Sequence, residues 1–141
     1  MNKRTRARRT ALQALYQWQM TAQDPHEITN DFNEEERLGQ LDRALFDNLL
    51  AGVINSVVEL DEILVPHLDR GIAEIDPVER AVLRLAAFEL RTSIEVPWKV
   101  VVNEAVELAH MFGAESSHRF INGVLDKVAR ELRPAEMAAR R

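Results

Sequence analysis

The chain has 141 residues, 46% of them hydrophobic, and 18 basic against 23 acidic side chains give a net charge of −5. That length suits one core hiding roughly two-thirds of the unfolded-state surface, no stretch approaches the roughly 20 apolar residues needed to span a bilayer, and the lack of cysteine excludes disulfides and thiolate metal sites. The expectation is a soluble, cytoplasmic protein with no cofactor, a single domain over 1–133 and a disordered tail over 134–141.

The charge is unevenly spread. Lys3, Arg4, Arg6, Arg8 and Arg9 place +5 ahead of the first acid, Asp24, and leave −10 on the remainder. A short basic arm on an acidic body makes a local phosphate-binding site, while the body repels polyanions elsewhere; a merely solvated helix end is the plain alternative. From Arg4 to Met20 the residues Ala7, Ala11, Ala14, Leu15 and Trp18 recur at three- and four-residue steps, which predicts an amphipathic helix. Arg6, Arg9, Gln13 and Tyr16 lie on its outward flank, where guanidinium groups can meet phosphate and a phenol can meet a base. Tyr16 reads equally as a rim residue of the core or a contact for a protein partner.

Asp24-Pro25-His26 interrupts that helix, and the acidic stretch to Gly39 reads as a loop with a short helix. Leu41, Leu45, Leu49, Val53, Val57, Leu60 and Leu64 predict one long core helix ending before Pro66. Asp76-Pro77-Val78-Glu79 combines an N-cap, a proline at the first helical position and a glutamate placed for a capping box. The helix that follows buries Val78, Ala81, Val82, Leu85 and Phe88, with Glu79, Arg80, Arg84 and Glu89 outside. After a connection from Thr92 to Pro97, another helix carries Val101, Ala105, Leu108 and Phe112 inward and stops at Gly113, where a left-handed residue is expected. Ser116 or Ser117 caps a last helix with Ile121, Val124, Leu125, Val128 and Leu132 inward. No segment alternates with period two, so the fold class is all-α, a compact helical bundle rather than a coiled coil.

Four blocks carry a resemblance. They are Arg8-Arg9-x-Ala11-Leu12-Gln13-Ala14-Leu15-Tyr16-x-Trp18; Asp76 through Ala86; Val96-Pro97-x-Lys99-Val100-x-Val102-Asn103-Glu104-Ala105; and Phe112-Gly113-Ala114-Glu115-x-Ser117-His118-x-Phe120-x-Asn122-Gly123-Val124-Leu125-Asp126-Lys127. In order and separation they resemble the transcription antitermination factor NusB family over nearly the whole chain, apart from Asp24 to Gly39 and the tail. The resemblance implies two packed helical sub-bundles and a non-enzymatic adaptor. It would bind boxA-type single-stranded nascent RNA together with ribosomal protein NusE and help the transcription elongation complex pass termination signals, chiefly on ribosomal RNA operons. It places RNA contacts on Lys3, Arg4, Arg6, Arg8 and Arg9, and on Ser116, Ser117 and Phe120 at the start of the last helix. Tyr16 and Glu79 match positions on the partner-protein surface. Ser116 departs from the family's frequent Asp, which removes an acid beside phosphate. Monomer and homodimer both stay open.

Competing readings are weaker. Glu107 and His110 sit three apart on one helix, as in carboxylate metal bundles, but Glu115 and His118 repeat that spacing only at a helix start, where capping accounts for them. Phosphate-loop, dinucleotide and nucleophile-elbow motifs are missing. The module also resembles the N-terminal domain of ribosomal RNA cytosine methyltransferases; with no glycine-rich strand-to-helix turn in these 141 residues, the expectation is the stand-alone factor. A protein-binding scaffold with an incidental basic arm remains the other class. Phe120 suits base stacking, whereas Trp98 and the Asn122-Gly123 step read as packing features.

Overall fold

The computed structural model describes residues 1–139. All regular elements among them are helical, in two compact units: Met1–Asn55, and a second beginning at Ser56. No helix among the described residues is long and apolar enough to cross a membrane.

The first unit holds α1 (Lys3–Thr21), α2 (Pro25–Glu34) and α3 (Arg43–Asn55), with α1 packed on both of the others. The Asn2 side chain caps α1 by accepting from the Thr5 N–H at 2.7 Å. Ala22 ends it in the left-handed region, donating its N–H to the Trp18 carbonyl at 2.8 Å. The acidic stretch is more ordered than its weak periodicity suggests. Asp24 caps α2 through the His26 N–H at 2.8 Å, Pro25 opens the helix, and Ile28 and Phe32 are buried one turn apart. From α3 the buried face is Leu45, Phe46, Leu49, Leu50 and Val53.

The long helix expected over Leu41 to Leu64 is two helices, α3 and α4 (Val57–Leu64), broken at Ser56. Ser56 leaves helical geometry at φ −115°, ψ 15°, and Asn55-Ser56 pairs two residues whose short polar side chains favour non-helical backbone. The break falls beside the single three-residue step in the leucine and valine pattern, Val57 to Leu60.

The second unit continues with α5 (Pro77–Thr92), α6 (Trp98–Phe112), α7 (Ser117–Leu132) and α8 (Pro134–Ala138). Helix α5 touches α4, α6 and α7, and so buries more than one stripe: Ala81, Val82, Leu83, Leu85, Ala86, Ala87, Phe88, Glu89 and Leu90. Glu89, expected outside, is therefore inside. Arg84 is drawn to α4, where it grips Asp61 in a two-bonded fork at 2.9 and 2.8 Å.

The segment expected as a disordered tail is ordered as far as Ala139; residues 140–141 lie outside the described residues. The buried Arg133 guanidinium donates to the carbonyls of Leu90 (2.7 Å), Val96 (2.9 Å), Ser93 (3.0 Å) and Glu89 (3.2 Å), and to Glu136 Oε1 at 2.6 Å. Glu136 Oε2 in turn accepts the first N–H of α6, from Trp98, at 2.8 Å. One residue thus gives the Leu90 and Val96 carbonyls a donor, adds a second one to those of Glu89 and Ser93, and ties the end of α5 to the start of α6. Replacing Arg133 with Met takes this donor from the Leu90 and Val96 carbonyls, while those of Glu89 and Ser93 keep the Ser93 and Val96 N–H groups at 2.9 Å, and leaves Glu136 without its cation. It is expected to lower stability by about 3 kcal/mol or more, read as a melting-temperature drop of roughly 6–12 °C in thermal unfolding.

Candidate nucleic-acid interface

The basic arm is the N-terminal part of α1. Lys3 and Arg4 are exposed, and Arg6 and Arg9 are half-buried. Arg8 is a correction to the sequence reading: it is 3% exposed. Its position, one turn from Ala11 and Leu12 and two from Leu15, lies on the buried face of α1, and its side chain is engaged within the chain. It presents nothing to a nucleic acid. The remaining cations are placed against the helix macrodipole, since the first turn of α1 contains no acid; positive charge there costs a few tenths to about 1 kcal/mol. Helix stability does not account for them.

A loop from Glu35 to Asp42 runs beside this arm. It is tied on by the Asp42 N–H to the Lys3 carbonyl at 3.0 Å and by Arg4 to Asp42 at 3.6 Å. Arg6 Nη1 donates to the Gln40 carbonyl at 3.2 Å and to its Oε1 at 3.3 Å. Arg37 Nη2 donates to Gln13 Oε1 at 3.1 Å. Arg9 makes no hydrogen bond or ion pair among the described residues. Further along α1, Tyr16 is 40% and Met20 54% exposed, one turn apart on the outer surface.

In the second unit the α6–α7 turn sets the other candidate residues. Gly113 is extended at φ −91°, ψ 176°, and not left-handed as expected. Its lack of a side chain matters for space: a Cβ would lie 2.8 Å from the Ala109 carbonyl oxygen and 2.9 Å from Ser117 Cβ and Oγ. Ser117 is therefore packed under the turn at 3% exposure and, contrary to the expectation from sequence, offers no surface to RNA. Ser116 is exposed at the N-cap position and makes no side-chain cap bond. Phe120 is half-buried, with the Arg70 guanidinium 5.8 Å from its ring centre. Asp69, beside it, has its carboxyl held below the usual range by a hydrogen bond from Arg70 and by that residue's charge. The His118 ring stacks on His110 at 4.1 Å, 20° from parallel.

Glu79 is half-buried on α5; its N–H, with that of Val78, donates to Asp76 Oδ1 at 3.2 and 2.9 Å. The reciprocal half of the capping box is not made, so its carboxylate has no hydrogen bond or ion pair among the described residues. Trp98 is half-buried with its indole Nε1 enclosed, in keeping with a packing role. A Cβ at Gly123 would meet nothing within 4 Å among the described residues, so no close helix contact explains that glycine. No three His, Asp or Glu side chains among the described residues gather into a metal-binding group.

Sequence reasoning missed Arg37 and Arg70. Arg37 follows three glutamates in a stretch read as acidic, and its value comes from the fold of the loop. Arg70 stands 50 residues from Phe120 in the chain, a pairing that no local pattern announces.

Residues 5–130 match the NusB family. The chain belongs to the NusB family. It is 51% identical over 133 residues to the transcription antitermination protein NusB of Hydrogenovibrio crunogenus, covering 94% of this chain and 83% of that protein. With the protein of the same name from Hahella chejuensis it shares 52% over 139 residues, covering 99% and 93%. The fold matches T. maritima NusB at a TM-score of 0.80 and 28% identity, over 98% of this chain and 99% of that one. It also matches a chain from a crystal structure of antitermination factors NusB and NusE in complex with dsRNA, at 0.78 and 27%, over 90% and 96%. A NusB-family chain is a transcription factor and not an enzyme.

Gly113→Ala is the sharpest test of how the α6–α7 turn positions Ser116 and Phe120. Overpacking against backbone is expected to cost about 1–3 kcal/mol, seen in denaturant unfolding as a lower midpoint with an unchanged slope.

Proposed function

We propose that the chain is an RNA-binding antitermination factor that engages boxA-type single-stranded nascent RNA together with a NusE ribosomal protein. Within the elongation complex, in the cytoplasm, it would sustain transcription chiefly across ribosomal RNA operons. The observation that carries the proposal is the guanidinium surface of α1: Arg6 and Arg9 face outward with no carboxylate paired to either among the described residues, on a chain that is otherwise acidic. Such charge confines polyanion binding to one place. The assembly of NusB and NusE with dsRNA that includes a structural neighbour supports NusE and RNA as partners, while the choice of a single strand rests on side-chain chemistry.

Lys3, Arg4, Arg6 and Arg9 neutralise phosphates and release counterions. Ser116 offers a hydroxyl, and the accessible part of Phe120 offers a surface on which a splayed base can stack, worth roughly 1–3 kcal/mol per base. A single strand can turn its bases outward in this way and a duplex cannot. Tyr16, continued by Met20, and the unpaired carboxylate of Glu79 are the contacts assigned to the protein partner. No covalent step and no cofactor is involved.

Fluorescence anisotropy of a short labelled boxA-like RNA, with and without NusE, beside scrambled and duplex RNAs, tests the proposal. The boxA-like strand is expected to bind best and more tightly with NusE. Arg6→Ala/Arg9→Ala is expected to weaken binding by about tenfold or more and to reduce the salt slope by about 1.4, roughly 0.7 per single-strand phosphate contact. Equal, salt-insensitive binding of all RNAs, or none, would leave a helical protein scaffold instead. Light scattering across concentrations separates monomer from homodimer in the same samples.

A further inference from the structure

The loop beside α1 encloses, with that helix, a cleft of about 460 Å³. Arg6, Arg9 and Arg37 bring three guanidinium groups to its lining, and Glu36 brings one carboxylate. We propose that this cleft is a phosphate subsite for the bound RNA strand and that Arg37, from outside the basic arm, is one of its ligands. The proposal rests on the RNA-binding reading above and adds to it a second wall and a residue that the arm does not contain.

Three features indicate a built site. First, the groups that orient the arginines are neutral amides: Gln40 accepts from Arg6 and Gln13 accepts from Arg37. An amide fixes a guanidinium without cancelling its charge, and each guanidinium has five N–H donors, so several remain for an anion. The carboxylate that pairs with Arg37, that of Glu35, is 59% exposed and 3.6 Å away, a pair that solvent screens and that holds little.

Second, Arg37 is braced from below. Its guanidinium lies over the buried Phe32 ring at 3.7 Å from the centroid, which holds the planar group by cation–π attraction and contact area. A long flexible cation anchored in this way loses less entropy on meeting a phosphate.

Third, the loop accepts backbone strain to adopt this shape. Glu36 and Gln40 lie in the left-handed region at φ 58° and 60°, while Gly39 between them does not have a positive φ. For residues with a side chain that conformation costs about 1–2 kcal/mol each. A glycine at position 40 would relieve it and keep the backbone carbonyl that accepts from Arg6 at 3.2 Å, but it would lose the second acceptor, the Gln40 Oε1 at 3.3 Å.

The test is RNA affinity and its salt dependence, measured by anisotropy on the full chain with the same boxA-like strand. Arg37→Gln is expected to weaken binding roughly fivefold and to lower the salt slope by about 0.7; Arg37→Lys keeps most of the slope. Glu36→Gln removes the cleft's carboxylate and is expected to tighten binding roughly two- to fivefold, a gain that damage to the fold would not produce. Arg43→Gln, which removes a cation on α3 paired with Asp47 at 3.2 Å, leaves affinity and slope as they are. Unchanged affinity in Arg37→Gln, beside a weakened Arg6→Ala/Arg9→Ala, overturns the cleft while sparing the RNA reading. Weaker binding with an unchanged slope also overturns it, since Arg37 would then only hold the loop. Wild-type protein that binds no RNA overturns both.

Discussion

A helix that is buried on several sides cannot leave its last carbonyls to water. Helix α5 is in that position, and it ends without a glycine: Ser93 follows Thr92, and the buried carbonyls of Glu89, Leu90 and Ser93 face the interior. The fork of Arg133 closes this end. Its five bonds match the geometry of a planar cation with five donors, which a lysine could not reproduce. The charge is balanced by Glu136, which also accepts the first N–H of α6. Satisfying those groups ties the connection after α5, the start of α6 and the short α8 together, beside the apolar faces on which α5, α6 and α7 pack.

The first unit solves a different electrostatic problem. It carries cations at the N-terminal end of a helix, where the macrodipole disfavours them. The structure compensates with geometry in place of counter-charge. Glutamine side chains and a backbone carbonyl aim Arg6 and Arg37, an aromatic ring supports Arg37, and the acids nearby, Asp42 at Arg4 and the exposed Glu35 at Arg37, each stand 3.6 Å away. A surface organised by neutral acceptors keeps its field, which steers a polyanion to it from a net-acidic protein. In the second unit the corresponding constraint is steric: the close approach of Ser117 to Gly113 sets the start of α7, from which Ser116 and Phe120 emerge.

Local signals in the sequence were readable where one residue's chemistry decides the backbone. Asp76-Pro77 announces the start of α5, and the same pair at Asp24-Pro25 announces α2, although acidic composition obscured it. The all-α class and the buried stripes of α6 and α7 follow from periodicity. What escaped depends on contacts distant in sequence or on space. Arg8 has the same chemistry as Arg9, yet 100° of helical rotation per residue puts one inside and the other out. Ser117 and Ser116 differ only in which of them sits under Gly113. The break at Ser56 interrupts a leucine and valine pattern that is otherwise continuous. Arg133 looks like the first residue of a polar tail until its partners, 37 to 44 positions earlier, are seen around it.

The central claim is that outward arginines held by neutral acceptors receive RNA, while inward arginines hold the fold. Side-chain Nε–H signals of isotope-labelled protein, assigned by single arginine variants and followed by NMR as boxA-like RNA is added, address that division directly. Arg6, Arg9 and Arg37 are expected to shift and saturate together, with Arg84 and Arg133 unmoved. RNA binding that leaves the first three unchanged, or that shifts all five alike, would contradict the account.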